Sequence, residues 1–169
     1  MMDKIDLQIL DAVQTDARIH QAELGRRVGL SAASVNERIH KLERLGVIRG
    51  YVALLDDLKL GRDMAAFIEV DIEHPRYEKA FLDLMIKLTE VQECHHVAGD
   101  FSCLLKVRVS DRRALRELVL DRINSLPGVR QTRTILVLGT TKETTRLSLF
   151  ASTNGKKAKR VIHGRGSNK

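Results

Sequence analysis

Residues 21–46 read QAELGRRVGLSAASVNERIHKLERLG, a stretch typical of two helices joined by a tight turn. Leu24 and Val28 lie four residues apart, as on one face of a short helix. Gly29 supplies a left-handed turn at the end of that helix, and Ser31 is a typical N-cap for the next. The apolar stripe of the second helix consists of Val35, Ile39, Leu42 and Leu45. The stretch therefore predicts a helix-turn-helix.

The neighbouring segments complete a small domain around this stretch. Ile5, Ile9 and Val13 have helical spacing, so a further helix is expected upstream. Val47–Leu55 contains β-branched and aromatic residues around a glycine, which predicts a short hairpin, or wing. We therefore expect a helix-turn-helix domain at residues 1–50 and a wing and linker at residues 51–62.

Beyond residue 62 the apolar residues begin to alternate, as they do in half-buried strands. The expected elements are a strand with Ala66, Ile68, Val70 and Ile72, a helix with Phe81 and Leu84, strands over Val91–Ala98 and Phe101–Val109 joined at Gly99-Asp100, a helix with Leu118 and Ile123, and a strand over Val129–Leu138. This order, βαββαβ, predicts a ferredoxin-like domain at residues 63–150 and an α+β fold class. The alternative, two unrelated βα units, leaves the Gly99 hairpin without a helix layer.

The positive charge is concentrated at one end of the chain. The sequence has 29 Lys and Arg against 22 Asp and Glu, a net charge of +7. Residues 63–150 are neutral overall, whereas residues 151–169 contain six Lys or Arg and no acidic residue. This basic tail, which has little to bury, is expected to be disordered and to add non-specific affinity for phosphates.

The composition also indicates where the protein works. No stretch is apolar enough to cross a membrane, and the N-terminus does not resemble a secretory signal. Two cysteines cannot form a disulfide scaffold, so we expect a cytoplasmic protein, associated with the nucleoid if it binds DNA.

The exposed face of the second helix has the chemistry that reading a DNA groove requires. Small residues at its N-terminal end permit close approach, Asn36 and Arg38 can bond base edges, and Lys41 and Arg44 can meet phosphates. The candidate DNA-binding residues are Arg26, Arg27, Ser31, Ser34, Asn36, Arg38, His40, Lys41 and Arg44. An ordinary solvated face of a small helical bundle is the alternative interpretation.

Several motifs carry a family resemblance. They are D-x-x-D-x-x-I-L from Asp3, D-A-R from Asp16, G-L-S from Gly29, V-x-x-R-I-x-x-L-E-x-x-G-V-I-x-G-Y from Val35, V-A-G-D-F ahead of L-L-K-V, and K-E-T-T near the end. In this order and at these separations they resemble the leucine-responsive/asparagine-regulator (Lrp/AsnC) transcription factors over roughly residues 2–150. The resemblance implies a winged helix-turn-helix that binds double-stranded DNA, followed by a ligand-sensing and oligomerisation domain.

The resemblance further implies a small effector, commonly an amino acid in such proteins, bound between dimers near the turn that joins the second and third strands. Carried over to this sequence, that turn is Gly99-Asp100, and Thr132 and Thr134 on the last strand are further candidates. Homodimers that assemble to a higher oligomer, often an octamer, are also implied. A plain hairpin turn is the alternative at Gly99, and Ser102-Cys103 departs from the acid and aromatic that the family often has there.

Two other kinds of site are not expected. A metal site could be suggested by Cys94, His95, His96 and Cys103. His96 and Cys103 could face each other across a hairpin. However, zinc-binding spacings are absent, and strand alternation places His95 on the other face. No catalytic or phosphate-cradling motif is present, so we predict no metal, no cofactor and no enzymatic activity. A DNA-compacting architectural protein and a ligand-binding regulatory subunit remain alternatives to a sequence-specific regulator.

Overall fold

The structure, a computed structural model, describes residues 2–150. The predicted basic tail at 151–169 lies outside the described residues. The chain forms two compact units, an N-terminal unit that includes residues up to Val52 and again from Thr144, and a C-terminal unit of Ala53–Glu143. Within residues 2–150 we find no helix with the length and apolar character needed to cross a membrane.

The N-terminal unit contains three helices, α1 (Lys4–Thr15), α2 (Gln21–Val28) and α3 (Ala32–Arg44). A capping box of Asp3 and Asp6 begins α1. The predicted turn is confirmed: Gly29 ends α2 in the left-handed conformation with φ 72°, and the Ser34 N–H donates to Oγ of Ser31 at 3.1 Å. The core of the unit consists of Ile9, Leu24, Val35 and Leu42, all fully buried.

Two sequence predictions for this unit are wrong. Leu45 is 60 % exposed, because α3 ends at Arg44 and the chain reverses at Gly46. The Leu42 carbonyl then accepts from the amides of Val47 and Ile48, and Ile48 packs against the core where Leu45 was expected. The hairpin predicted over Val47–Leu55 also does not form, since none of these residues is in a strand. An isolated two-stranded hairpin buries too little surface to be stable by itself.

The C-terminal unit has the predicted βαββαβ order. Its elements are β1 (Met64–Ile72), α4 (Glu78–Met85), β2 (Val91–His96), β3 (Cys103–Val109), α5 (Arg112–Arg116), which continues as a π-helical segment (Glu117–Ile123), and β4 (Val129–Leu136). The strands form one sheet in the order β2-β3-β1-β4, and all neighbours are antiparallel. This is the sheet of a ferredoxin-like domain.

One face of this sheet forms the core. The predicted alternation is confirmed in β3, where Cys103, Leu105, Val107 and Val109 are fully buried and the residues between them are not. Ile68 and Val70 of β1 lie on the same face and pack with Phe81 and Leu118 of the helices. Glu69 and Lys106 lie on the opposite face, because successive residues of a strand point to opposite sides.

Candidate nucleic-acid interface and ligand-binding turn

A close backbone approach sets the position of α3 relative to α2. Gly25 lies in the middle of α2, and a Cβ added to it would stand 2.5 Å from the Leu30 carbonyl oxygen. The same Leu30 donates its N–H to the Gly25 carbonyl at 2.9 Å. Gly25 is not among the residues predicted from the sequence, although a glycine inside so short a helix is a signal of close contact. Only glycine fits here without displacing the turn that orients α3.

The side chains of α3 differ in how free they are to meet a ligand. Arg44 is exposed, and His40 is exposed with its Nδ1 2.9 Å from a Glu43 carboxylate oxygen. Asn36 is half-buried, and its Oδ1 accepts from Nε2 of Gln21 at 2.7 Å, so its amide group remains available. Ser31 holds the helix N-terminus, and the half-buried Ser34 shares a hydroxyl hydrogen bond with it at 2.9 Å.

The bases of α2 flank this helix. Arg26 and Arg27 are exposed, and both pair with Glu23 on the same helix. The hydrogen bond from Arg26, followed by that from Arg27, lowers the pKa of Glu23. Exposed intrahelical pairs of this kind are weak, so a phosphate can displace the carboxylate.

Arg38 has a different environment from the other candidates. Its guanidinium lies 2.6 Å from the Asp6 carboxylate, which is fully buried, and 2.7 Å from that of Asp3. Nζ of Lys41 is 3.6 Å from the same Asp6 carboxylate. Burial raises the pKa of Asp6, but the hydrogen bonds from Arg38 and from the Asp3 backbone outweigh it and hold the pKa below its usual range. Arg38 therefore ties α3 to the N-terminus of α1.

The turn between β2 and β3 is anchored over the end of β1. Gly99 has a φ of 147°, a backbone conformation that residues with a Cβ rarely adopt. Ser102 donates its N–H to the Val70 carbonyl at 2.9 Å, and its Oγ accepts from the Ile72 amide at 3.1 Å. Gly99 and Asp100 are both exposed, so the turn presents its backbone and one carboxylate to solvent.

Arg133 of β4 lies beside this turn and is not among the site residues predicted from the sequence. Its guanidinium carbon stands 5.2 Å from the centre of the Phe101 ring. A hydrogen bond with Glu69 raises the pKa of Arg133, and the nearby Asp100 carboxylate contributes in the same direction. The turn therefore carries an exposed carboxylate, and the Arg133 guanidinium, which pairs with Glu69, lies over its Phe101 ring. A contact between a side chain of β4 and a turn about thirty residues earlier in the chain cannot be read from the sequence.

The two threonine candidates lie on the other face of β4. Thr132 and Thr134 are in register with Val70 and Ile68, whose side chains are buried in the core, whereas Arg133 is in register with Glu69. The Thr132 hydroxyl donates to the Asn124 side chain at 2.9 Å. The structure thus does not place the threonines on the Arg133 face of the strand.

The cysteine and histidine cluster has the predicted strand register. His96 is opposite Cys103, with Sγ 3.9 Å from Nδ1. Within residues 2–150, no group of three or more His, Cys, Asp or Glu side chains is arranged to hold a metal ion.

Comparisons with known proteins match both units. The AsnC-type helix-turn-helix domain matches residues 2–43, and the Lrp/AsnC ligand binding domain matches residues 65–147. The leucine-responsive regulatory proteins of Klebsiella pneumoniae and Escherichia coli K12 are each 43 % identical to the chain over 148 residues, which is 86 % of this chain and 90 % of theirs.

Solved structures agree with these matches. A transcriptional regulator from Neisseria meningitidis in complex with L-Met superposes with a TM-score of 0.85 at 33 % identity, covering 88 % of this chain and 97 % of that one. Escherichia coli AsnC superposes with a TM-score of 0.81 at 27 % identity, covering 86 % and 98 %.

A helix-turn-helix unit followed by a ligand-binding α+β domain defines a DNA-binding transcriptional regulator, and not an enzyme. The chain belongs to the Lrp/AsnC family of such regulators.

Proposed function

We propose that the chain regulates transcription by reading a specific DNA sequence with α3 and by binding an amino acid at the Gly99-Asp100 turn. The first part rests on the outward face of α3, which has small residues at its N-terminal end and polar and basic side chains further along. In this proposal Ser34, Asn36 and His40 approach base edges. The phosphate contacts come from Arg26, Arg27, Lys41 and Arg44. Ser31 and Arg38 act by holding α3 in place.

The amino-acid part rests on charge complementarity at the turn. Asp100 can accept hydrogen bonds from an α-ammonium group, and Arg133 can pair with an α-carboxylate. The regulator from Neisseria meningitidis, which this chain resembles, was solved with L-Met. Thr132 and Thr134 are secondary candidates, because they point to the other face of β4.

Exposed apolar residues support self-association. Val52 and Leu54 are 82 % and 90 % exposed in the segment where the wing was expected. Ile135 and Leu136 are half-exposed on β4, an edge strand of the sheet. Apolar surface of this kind marks interaction sites. We propose homodimers that assemble to a higher oligomer, an octamer as in many such proteins, acting on the nucleoid in the cytoplasm.

Selection of bound sequences from a pool of random duplexes tests the DNA part. For Asn36→Ala we expect a relaxed preference at particular bases, a loss of about 1–3 kcal/mol at those positions. Lys41→Gln is expected to weaken binding to all sequences about equally, as the loss of a phosphate contact does. Lys79→Gln, an exposed lysine of α4, is the matched control. Enrichment of no sequence, with uniform protection in footprints, would favour an architectural DNA-compacting protein instead.

A thermal-shift screen of the twenty amino acids tests the effector part. A ligand at about 100 times its Kd stabilises the folded protein by roughly 2.7 kcal/mol. We expect the shift to be lost in Asp100→Asn and in Arg133→Gln, and kept in Thr134→Ala. A shift that survives both charge changes would place the ligand elsewhere.

A further inference from the structure

The end of the described chain is fastened to α1 of the N-terminal unit. The Gln14 side chain makes two hydrogen bonds with the Leu147 backbone: its Nε2 donates to the carbonyl at 2.9 Å, and its Oε1 accepts from the amide at 3.0 Å. Arg146 pairs with Asp11 at 2.9 Å, and hydrogen bonds from Arg146 and then from Gln14 lower the pKa of Asp11. We name Asp11, Gln14, Arg146 and Leu147 the C-terminal clamp.

The clamp sets where the following residues begin. Phe150, three residues beyond Leu147, lines a cleft together with Leu24, Arg27 and Val28 of α2. Arg27 is one of the bases proposed to contact phosphates. The described chain therefore ends beside α2, on the unit that carries α3.

The chemistry of the basic tail fits a polyanion. Its six bases are Lys156, Lys157, Lys159, Arg160, Arg165 and Lys169, with no acidic residue among them. The ligand-binding domain match ends at residue 147, so the tail lies outside the matched domains. A run of like charges of this kind commonly binds nucleic acid.

We propose that the C-terminal clamp delivers the basic tail to the phosphate backbone of the duplex that α3 reads, as a second, sequence-independent DNA contact. This inference rests on the proposed DNA-binding face, because the clamp belongs to the same unit. Covalent geometry explains the value of the clamp. Lys156 can lie no more than about 20 Å from an anchored Phe150, but up to about 45 Å from Glu143 if the clamp opens. The clamp thus raises the effective concentration of tail charges near the DNA.

The first experiment changes the tail in the full-length chain. All six bases are replaced by Gln in one variant, and a scrambled tail of the same composition is the matched control. Binding to a mixed-sequence duplex is measured across salt concentrations. If all six bases meet phosphates, neutralising them lowers the slope of log K against log salt by up to about 5, while the scrambled tail keeps the slope. An unchanged slope in the Gln variant would overturn the proposal.

The second experiment opens the clamp without touching the tail. Asp11→Asn with Gln14→Ala lengthens the tether to Lys156 from six residues to thirteen. Since effective concentration falls with roughly the −3/2 power of tether length, we expect binding about threefold weaker. The same pair of changes in the Gln-tail variant should have no effect on binding. Equal affinity of the clamp variant and the parent protein, or an equal loss in both backgrounds, would overturn delivery by the clamp.

The outcomes also separate this inference from the proposed function. Neutralising the tail should leave the ratio of affinities for selected and mixed sequences unchanged, because phosphates carry no sequence information. Asn36→Ala should reduce that ratio and leave the salt slope unchanged. If neutralising the tail abolished the sequence preference and Asn36→Ala did not, both the assignment of base reading to α3 and the assignment of phosphate contact to the tail would be wrong.

Discussion

Arg38 shows how one residue can be chemically suited to one role and placed for another. Its side chain is 28 % exposed, and both carboxylates that it meets, Asp3 and Asp6, belong to the N-terminal end of α1. Asp6 is fully buried. Removing one partner of a buried ion pair is more destabilising than removing one partner of an exposed pair, because it leaves an uncompensated buried charge. Arg38 therefore holds α3 against the start of α1, and we propose that any contribution it makes to DNA binding comes from this positioning.

Replacing Arg38 tests this role. We expect Arg38→Met to lower the free energy of unfolding of the N-terminal unit by about 2–3 kcal/mol, below the usual range for buried pairs because Lys41 remains beside Asp6. The free energy of unfolding of Arg38→Lys should lie between that of Arg38→Met and that of the parent protein. Arg44→Ala, an exposed change on the same helix, should stay within about 0.5 kcal/mol. Urea unfolding of each variant provides the measurement.

The pH dependence supplies a second readout for the same pair. The folded protein holds the pKa of Asp3 and of Asp6 below their unfolded values. Such carboxyls contribute stability above about pH 4, and this stability is lost as the pH falls through the folded pKa. Arg38→Met should therefore show a shallower loss of stability on acidification. A parallel pH profile for variant and parent would remove Arg38 as the cause.

Gly25 has no room for a side chain on its Leu30 side. We expect Gly25→Ala to cost about 1–3 kcal/mol and to weaken DNA binding, since the new Cβ must push away the Leu30 carbonyl and move the turn. Gly29→Ala is the matched control: a Cβ there meets nothing within 4 Å, so only backbone strain of about 1 kcal/mol is added. Equal effects on DNA binding for both variants would show that the close approach is unimportant.

At the scale of elements, β3 holds the segments at both ends of the C-terminal unit. Arg108 pairs with Asp57 of the linker at 2.7 Å and with Glu143 at 3.6 Å. Lys106 pairs with the same Glu143, and this hydrogen bond lowers the pKa of the glutamate. The charged face of β3 thus fixes the linker where the sequence indicated only a polar connection.

Limited proteolysis measures how firmly the linker is held. Asp57→Asn removes the charge that meets Arg108 and leaves every trypsin site intact. We expect cleavage after Lys59 and Arg62 to become about fivefold faster, as for a loss of roughly 1 kcal/mol in local opening. Asp83→Asn, which breaks the exposed pair with Lys79 in α4, should leave the rate unchanged. Unchanged cleavage in Asp57→Asn would show that other contacts hold the linker.

At the scale of the whole molecule, each unit has its own core. Ile9, Leu24, Val35 and Leu42 form one cluster, and the sheet with its helices forms the other. Two separate cores predict that damage to one leaves the other folded.

Paired core variants check this prediction. Leu24→Ala should cost the N-terminal unit about 2–5 kcal/mol and abolish DNA binding, while the proposed amino-acid thermal shift and the proposed self-association persist. Ile68→Ala should damage the C-terminal unit by a similar amount and spare the helical signal of the N-terminal one. Unfolding of both units together in either variant would contradict the separation.

The sequence by itself determined the local architecture. The period of apolar residues was enough to predict α2, α3 and the inward face of β3, because helix and strand geometry fix which neighbours share a face. Gly29 and Ser31 marked the turn because their conformational and capping preferences are local. The quoted motifs also placed the chain in its family.

Tertiary structure alone decided the contacts between residues far apart in the chain. Ile48 replaces Leu45 in the core because the chain reverses at Gly46. Arg38 meets Asp6, and Phe101 meets Arg133, only after helices and strands have packed. The clamp joins Gln14 to Leu147, which are 133 residues apart. Periodicity carries no information on such pairs, since they depend on how whole elements are arranged.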